Sequence, residues 1–147
     1  MSAPVFDQLN LVVRDMEATL RFYRAAGLDI PEASIWQTSS GAHHVEVRMP
    51  SGVELAFDSA ALARVYNRGW REPAESASRC VLTFRMESRE AVDSICRELA
   101  ALGYTVSQQP HDTFWGSRYG IMLDPDGHGA GFMSPADPSQ RSAPPDI

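Results

Sequence analysis

The sequence predicts an α+β fold made of two tandem βαβββ units. Three observations predict it. The order strand, capping residue, amphipathic helix, glycine, strand occurs twice, as LVVRDMEATLRFYRAAGLDI and as LTFRMESREAVDSICRELAALGYTV. Self-similarity on this scale decides the architecture before any single element does. Each copy is followed by short apolar stretches separated by turn residues, and 147 residues suit a single domain better than two large ones.

In the first copy, residues 5–13 (VFDQLNLVV) alternate and are rich in β-branched side chains, which predicts a strand. Asp15 follows as a helix cap, since its carboxylate accepts from the free amides of a first turn. Met16, Leu20, Tyr23 and Ala26 then fall on one helical stripe, with Phe22 and Tyr23 as core residues, and Gly27 ends the helix. Strands are expected over 34–38, 42–49 and 52–58, with turns at SSG and PSG. In the second copy the strand is 80–86, the cap Ser88, and the helix carries Val92, Ile95, Cys96 and Leu99 on one face up to Gly103. Strands follow at 104–108, 117–123 and 129–133, the last two joined by the type I turn DPDG. This gives a two-unit domain over 1–134, with one unit at about 4–58 and the other at about 79–134. Between them, 59–78 is a connecting segment whose first half (LARVYNRGW) is apolar enough to need a packing partner. The Pro- and Ser-rich tail 135–147 is expected to be disordered.

The composition is ordinary for a globular chain, with 44% hydrophobic and 22% charged residues. A formal charge of −6 argues against nucleic acid and anionic membranes as partners, because both demand clustered Lys and Arg. It is compatible with a neutral or cationic ligand. Cys80 and Cys96 have no CxxC or metal-type spacing, and alternation from Arg79 sends Cys80 to the helix side, so both are expected to be inert core thiols. The start MSAPVFDQLN has no secretory leader pattern and no apolar run reaches the ~20 residues of a membrane span, so the expected compartment is the cytoplasm.

The paired βαβββ order, an FY pair on the first helix before a glycine, the GVEL strand and the closing DPDG turn together resemble the vicinal oxygen chelate superfamily of glyoxalases, bleomycin-resistance proteins and ring-cleaving dioxygenases. The resemblance spans about residues 5–134. It implies curved mixed sheets that enclose a cavity, and members that often form homodimers. It also implies four metal-ligand positions, on the first and last strand of each unit. Carried over, these fall on Gln8, Glu54, Arg79 and Gly131, the last two to within one or two residues. Gln8 and Glu54 are competent donors to a divalent ion. Arg79 is not, since guanidinium carries only donor hydrogens, and Gly131 has no side chain. His43 and His44 are neighbours on a strand and point to opposite faces, so they cannot chelate one ion together. One of them is an alternative third donor, and Glu46 shares the face of His44. His111 and His128 fall in or beside turns. DPDG lacks the further acidic ligands of a calcium loop.

Alternation puts Asn10, Val12, Gly52, Ala56, Asp58, Val81, Thr83 and Arg85 on the concave side with Gln8 and Glu54. Arg79 would pair with Glu54, or hold an anionic or carbonyl group through its planar fork. The competing placement sets it in solvent just outside the strand. Trp36, Trp70, Phe114, Trp115, Tyr119 and Met133 are candidate lining residues, with Trp115 foremost because its loop borders the cavity in the family. GxSxG, GxxxxGK[ST], HExxH and GxGxxG are absent from the sequence. The favoured function is therefore binding of a small organic molecule without a metal ion, as in the antibiotic-binding members. No cofactor is expected. The alternative is a lyase, isomerase or dioxygenase using Zn, Ni, Mn or Fe on Gln8, Glu54 and a third ligand. A variant of it makes Glu54 a metal-free general base.

Overall fold

A computed structural model of the chain describes residues 3–41, 43–74 and 78–146. The expected strand start at 42, residues 75–77 of the connecting segment, residues 1–2 and the final residue 147 lie outside the described residues. The chain divides into two compact units, Met1–Glu75 and Ser76–Ile147.

The first unit runs β1 (Gln8–Val13), α1 (Met16–Ala25), β2 (Ile35–Gln37), β3 (His43–Arg48), β4 (Glu54–Ser59) and α2 (Ala60–Tyr66). A short 3-10 turn, Glu32–Ser34, precedes β2. Its sheet has the order β1-β4-β3-β2, with β1 parallel to β4 and the other pairs antiparallel. Parallel pairing of β1 and β4 requires a long connection, which α1 and the β2–β3 hairpin supply. Alternation sorts the side chains as the sequence implied. Leu11, Val13, Val45, Val47, Leu55 and Phe57 are buried on the helix face. Against them α1 sets Leu20, Phe22 and Tyr23, with the Tyr23 ring 4.9 Å from Phe57 and 5.0 Å from Phe22. Burying each large side chain contributes roughly 1.5–3 kcal/mol, which is why the helix docks on this face.

The second unit repeats the plan with β5 (Val81–Arg85), α3 (Arg89–Ala101), β6 (Val106–Asp112), β7 (Arg118–Leu123) and β8 (Gly129–Met133), in the order β5-β8-β7-β6. Val92, Ile95, Cys96 and Leu99 of α3 are buried, as are Leu82, Met122, Ala130 and Phe132 of the sheet. The two helices also begin and end alike. Asp15 accepts from Ala18 N, and Ser88 from Ala91 N. Gly27 (φ 96°) and Gly103 (φ 91°) stand at the left-handed position after each helix. There the amides of Leu28 and Tyr104 donate back to the carbonyls of Tyr23 and Leu99, in the same capping motif. Both sheets are mixed and curved, and neither closes into a barrel.

Four expectations need correction. β1 starts at Gln8 rather than at 5, and Val5 and Phe6 are exposed. β6 runs on to Asp112 through Pro110, which an edge strand tolerates because one side of its backbone needs no ladder partner. Cys80 is exposed, since β5 begins only at Val81 and alternation does not reach back to it; Cys96 is buried, and its thiol is pushed up to about 11, chiefly by burial.

The fourth is the tail. Residues 134–142 run along the 113–118 loop: Asp137 N donates to Gly116 O, Ser142 N to Phe114 O, and the Arg141 guanidinium to Trp115 O. Asp137 also caps a short 3-10 turn, Pro138–Gln140. Backbone partners of this kind order a polar segment that composition alone assigns to solvent. Gly116 has φ 95°, and a Cβ there would run into the Asp137 carbonyl. Gly116→Ala should therefore free the tail, read as faster cleavage after residue 134 in limited proteolysis. Unchanged resistance would contradict the docking.

The connecting segment 59–78 is structured in its first half. Ser59 caps α2, whose Ala63 is fully buried against the sheet. Trp70 takes the Arg64 guanidinium over its ring at 4.9 Å. Among the described residues no helix is long and apolar enough to cross a membrane.

Candidate functional site

The faces turned away from the helices carry the polar side chains, and strand register fixes which residues meet. On the first sheet Gln8 stands opposite Glu54, and Arg48 opposite Glu54 on the other side. Gln8 Nε2 donates to Glu54 Oε1, and Arg48 donates to Glu54 Oε2 at 3.1 Å. Both carboxylate oxygens of Glu54 thus have partners within the unit. The next rung is Asn10, Ala56 and Glu46, and the one after is Val12, Asp58, His44 and Trp36.

Asp58 is the centre of this face. It is 1% exposed although it lies on the open side. A buried carboxylate is costly unless donors surround it, and three converge here. Asn10 Nδ2 and Tyr66 Oη donate to Oδ2 at 2.8 and 2.9 Å, and His44 Nδ1 lies 2.6 Å from Oδ1. The other ring nitrogen of His44 is 3.5 Å from Glu46 Oε2. Burial opposes charging of the imidazole, but the hydrogen bonds to Asp58 and Glu46, with the charges of both, outweigh it and raise the His44 pKa. Burial, then the hydrogen bond to Asp58 and its charge, push the Tyr66 hydroxyl up to about 12, so it remains a donor.

On the second sheet the open face carries Val81, Thr83 and Arg85 of β5, with Tyr119 and Ile121 of β7, and Met133 opposite Tyr119. Tyr119 Oη lies 3.2 Å from Thr83 Oγ1. Trp115 sits 6.2 Å from Tyr119 and 5.0 Å from Phe114, centroid to centroid, and His111 is 6.5 Å from Tyr119. Phe114 and Trp115 are 39% and 37% exposed, open enough to stack on a planar molecule.

The matched helix caps align the two units independently of composition. Gln8 lies seven residues before Asp15, and Val81 seven before Ser88. Gln8 pairs with Glu54 as Val81 pairs with Gly129. The second-unit counterparts of Gln8 and Glu54 are therefore Val81 and Gly129, and Arg79 is exposed in the stretch ahead of β5. Gly131 is closed to a ligating side chain. A Cβ there would lie 2.6 Å from Tyr119 Oη, 2.9 Å from its ring and 3.0 Å from Thr83 Oγ1. The phenol fills the space a carboxylate would need. Gly131→Ala should cost about 1–3 kcal/mol by overpacking. Adding Tyr119→Ala should recover part of that loss in urea unfolding, and strictly additive effects would contradict the crowding.

The sequence thus named residues that gather in two sets: Gln8, Asn10, Glu54 and Trp36 on the first sheet, and Thr83, Tyr119, Met133, Trp115 and Phe114 in the second unit. Alternation had placed Asp58 on the open face and His44 with Glu46, but not their junction. Tyr66 was missed, since it falls in the connecting segment. The available signal was Asp58 itself, an acid in the strand ELAFDS that has to find donors.

These features define a protein of two βαβββ units with an open polar face on each sheet. A family model for the glyoxalase/bleomycin resistance protein/dioxygenase superfamily matches residues 5–132, and the chain belongs to that superfamily. Solved structures agree in fold. A glyoxalase/bleomycin resistance protein/dioxygenase family enzyme from Burkholderia phytofirmans is 18% identical with a TM-score of 0.72, covering 88% of this chain and 97% of that one. The genomically encoded fosfomycin resistance protein of Listeria monocytogenes is 14% identical with a TM-score of 0.67, covering 97% and 100%. A lactoylglutathione lyase from Agrobacterium tumefaciens is 19% identical with a TM-score of 0.62, covering 91% and 96%. No curated protein sequence matches the chain.

Superfamily members often use metals. Gln8 and Glu54 could supply two donors to an ion. The second unit does not fit one: it offers Val81 and Gly129 at the matching rung and a phenol in the side-chain space of Gly131. Among the described residues, no three His, Cys, Asp or Glu side chains gather in a metal-ligating group.

Proposed function

We propose that this chain is a metal-independent binding protein for a small organic molecule, of the glyoxalase/bleomycin-resistance type, with antibiotic sequestration as its use. The observation that carries it is the second unit's matching rung, where Val81 stands opposite Gly129 and neither side chain offers a donor to an ion. A site of this kind needs aromatic surfaces and a few placed polar groups. Within the first unit Trp36 with Asn10 and Gln8 offers one such set, and within the second unit Trp115 and Phe114 with Tyr119, Thr83 and Met133 offer another. The net charge of −6 favours a neutral or cationic ligand over an anion. The fosfomycin resistance protein among the structural neighbours is consistent with a drug-directed use.

Metal analysis of the purified chain tests this. The expected result is no stoichiometric Zn, Ni, Mn or Fe, and a melting temperature unmoved by these ions or by EDTA. A tightly held ion whose removal abolishes activity would establish the other reading, a lyase, isomerase or dioxygenase with Gln8 and Glu54 as ligands. That reading draws on their shared rung. The binding protein is proposed to act as a cytoplasmic homodimer, and gel filtration at high micromolar concentration showing a monomer would count against the dimer.

A further inference from the structure

We propose that His44 is a general base, and that the open face of the first sheet carries out proton transfer on a planar carbon acid lying over Trp36. This goes beyond binding, because sequestration needs no proton acceptor. The argument starts from Asp58. A carboxylate buried to 1% on an otherwise open face is an expensive feature, and Asn10 and Tyr66 satisfy one oxygen completely. The other oxygen is left for one task, holding His44 Nδ1 at 2.6 Å. That bond puts the proton of a neutral ring on Nδ1 and leaves the lone pair on Nε2. A histidine that served packing alone would bury its ring. His44 instead keeps a quarter of its side chain in solvent, and Nε2 has only a long 3.5 Å approach to the exposed Glu46. The titratable groups facing the ring are Asp58 from β4 and Glu46 from its own strand, while Tyr66 of α2 bonds the far oxygen of Asp58. Two carboxylates near the ring stabilise the imidazolium that proton abstraction creates.

Register gives the substrate class. Trp36 is the direct cross-strand partner of His44 and is 49% exposed. Directly opposed residues have Cβ atoms about 4.5–5.5 Å apart, so a flat molecule resting on the indole lies beside the His44 ring. The exposed Glu46 beside the ring disfavours an anion, leaving a neutral or cationic aromatic or enolisable compound. In the step, the substrate C–H bond breaks and its proton passes to Nε2. The electron pair moves into an adjacent carbonyl or expels a leaving group. The proton then returns to a neighbouring carbon or to water, so no oxidant or second substrate is needed.

The test uses 5-nitrobenzisoxazole, a planar neutral carbon acid. Nε2 takes its ring C–H proton, the pair forms the nitrile, the N–O bond breaks, and a coloured phenolate is released. The full chain should outpace an equal concentration of free imidazole by roughly 10²-fold or more. The rate should rise with pH to a plateau as the imidazole loses its proton. His44→Gln should remove the excess rate, and Asp58→Asn should lower both the rate and the pH of the inflection. Arg97→Gln, in the other unit, serves as the control and should change nothing. Circular dichroism of each variant separates loss of the base from loss of the fold. A wild-type rate no higher than that of imidazole, or a folded His44→Gln variant that keeps the rate, would overturn the assignment. Quenching of tryptophan fluorescence by the probe without turnover would overturn it too, while leaving the binding function intact.

Discussion

Phe57→Ala is expected to lower stability by about 3–5 kcal/mol. Phe57 is fully buried on β4, an inner strand of the first sheet, and its register partners Leu11 and Val45 are buried with it. Its ring also meets Tyr23 of α1, so truncation opens space between sheet and helix together. The backbone around a central strand cannot collapse into that space without breaking ladders on both sides. The loss is a large part of the roughly 5–15 kcal/mol that holds a typical domain. Urea unfolding at pH 7 measures it. Trp36→Ala on the same sheet is the comparison. Trp36 lies on the open face, half exposed, and its loss should stay within about 0.5 kcal/mol. Equal losses for the two variants would mean that the helix face and the open face are wrongly distinguished.

That distinction was legible in the sequence because a strand has period two. Once Glu54 was assigned to the open face, Leu55 and Phe57 had to face the helix, and Ala56 and Asp58 the other side. Caps and terminating glycines were legible for a similar reason: Asp15, Ser88, Gly27 and Gly103 each satisfy a local backbone demand without distant partners. What stayed hidden depends on partners far along the chain. The docking of the tail on Gly116 rests on backbone hydrogen bonds that leave no trace in composition. The place of Arg79 depended on where β5 begins. Composition suggested residue 80, while pairing with β8 sets Val81 and gives Gly129 and Gly131 their neighbours. The Asp58 cluster draws on β1, β3, β4 and α2, and only the ladders bring those elements to one spot.

Asp58→Asn should show how far that cluster shapes the first unit, and its effect should depend on pH. The substitution keeps the side chain's shape and removes its charge. One amide group cannot accept from Asn10, Tyr66 and His44 together, because its NH2 end must face at least one of these donors. The expected cost is about 2–4 kcal/mol, set by weakened bonds to a buried acceptor. Part of it is linked to the titration of His44. In the native protein that pKa is raised above its unfolded value of roughly 6.5. A group shifted upward contributes stability that is complete below the unfolded pKa and vanishes as pH rises through the folded one. The gap between wild type and Asp58→Asn should therefore be widest on the acid side, near pH 5.5. It should narrow toward pH 9, where the imidazole is neutral and the carboxylate no longer has a cation to stabilise. What persists at pH 9 is the share due to Asn10, Tyr66 and the neutral Nδ1–H of His44. Urea unfolding at both pH values, with an NMR titration of the His44 ring, separates the two shares. A gap that widened with pH, or a His44 pKa unmoved by the substitution, would mean that Asp58 does not govern the imidazole.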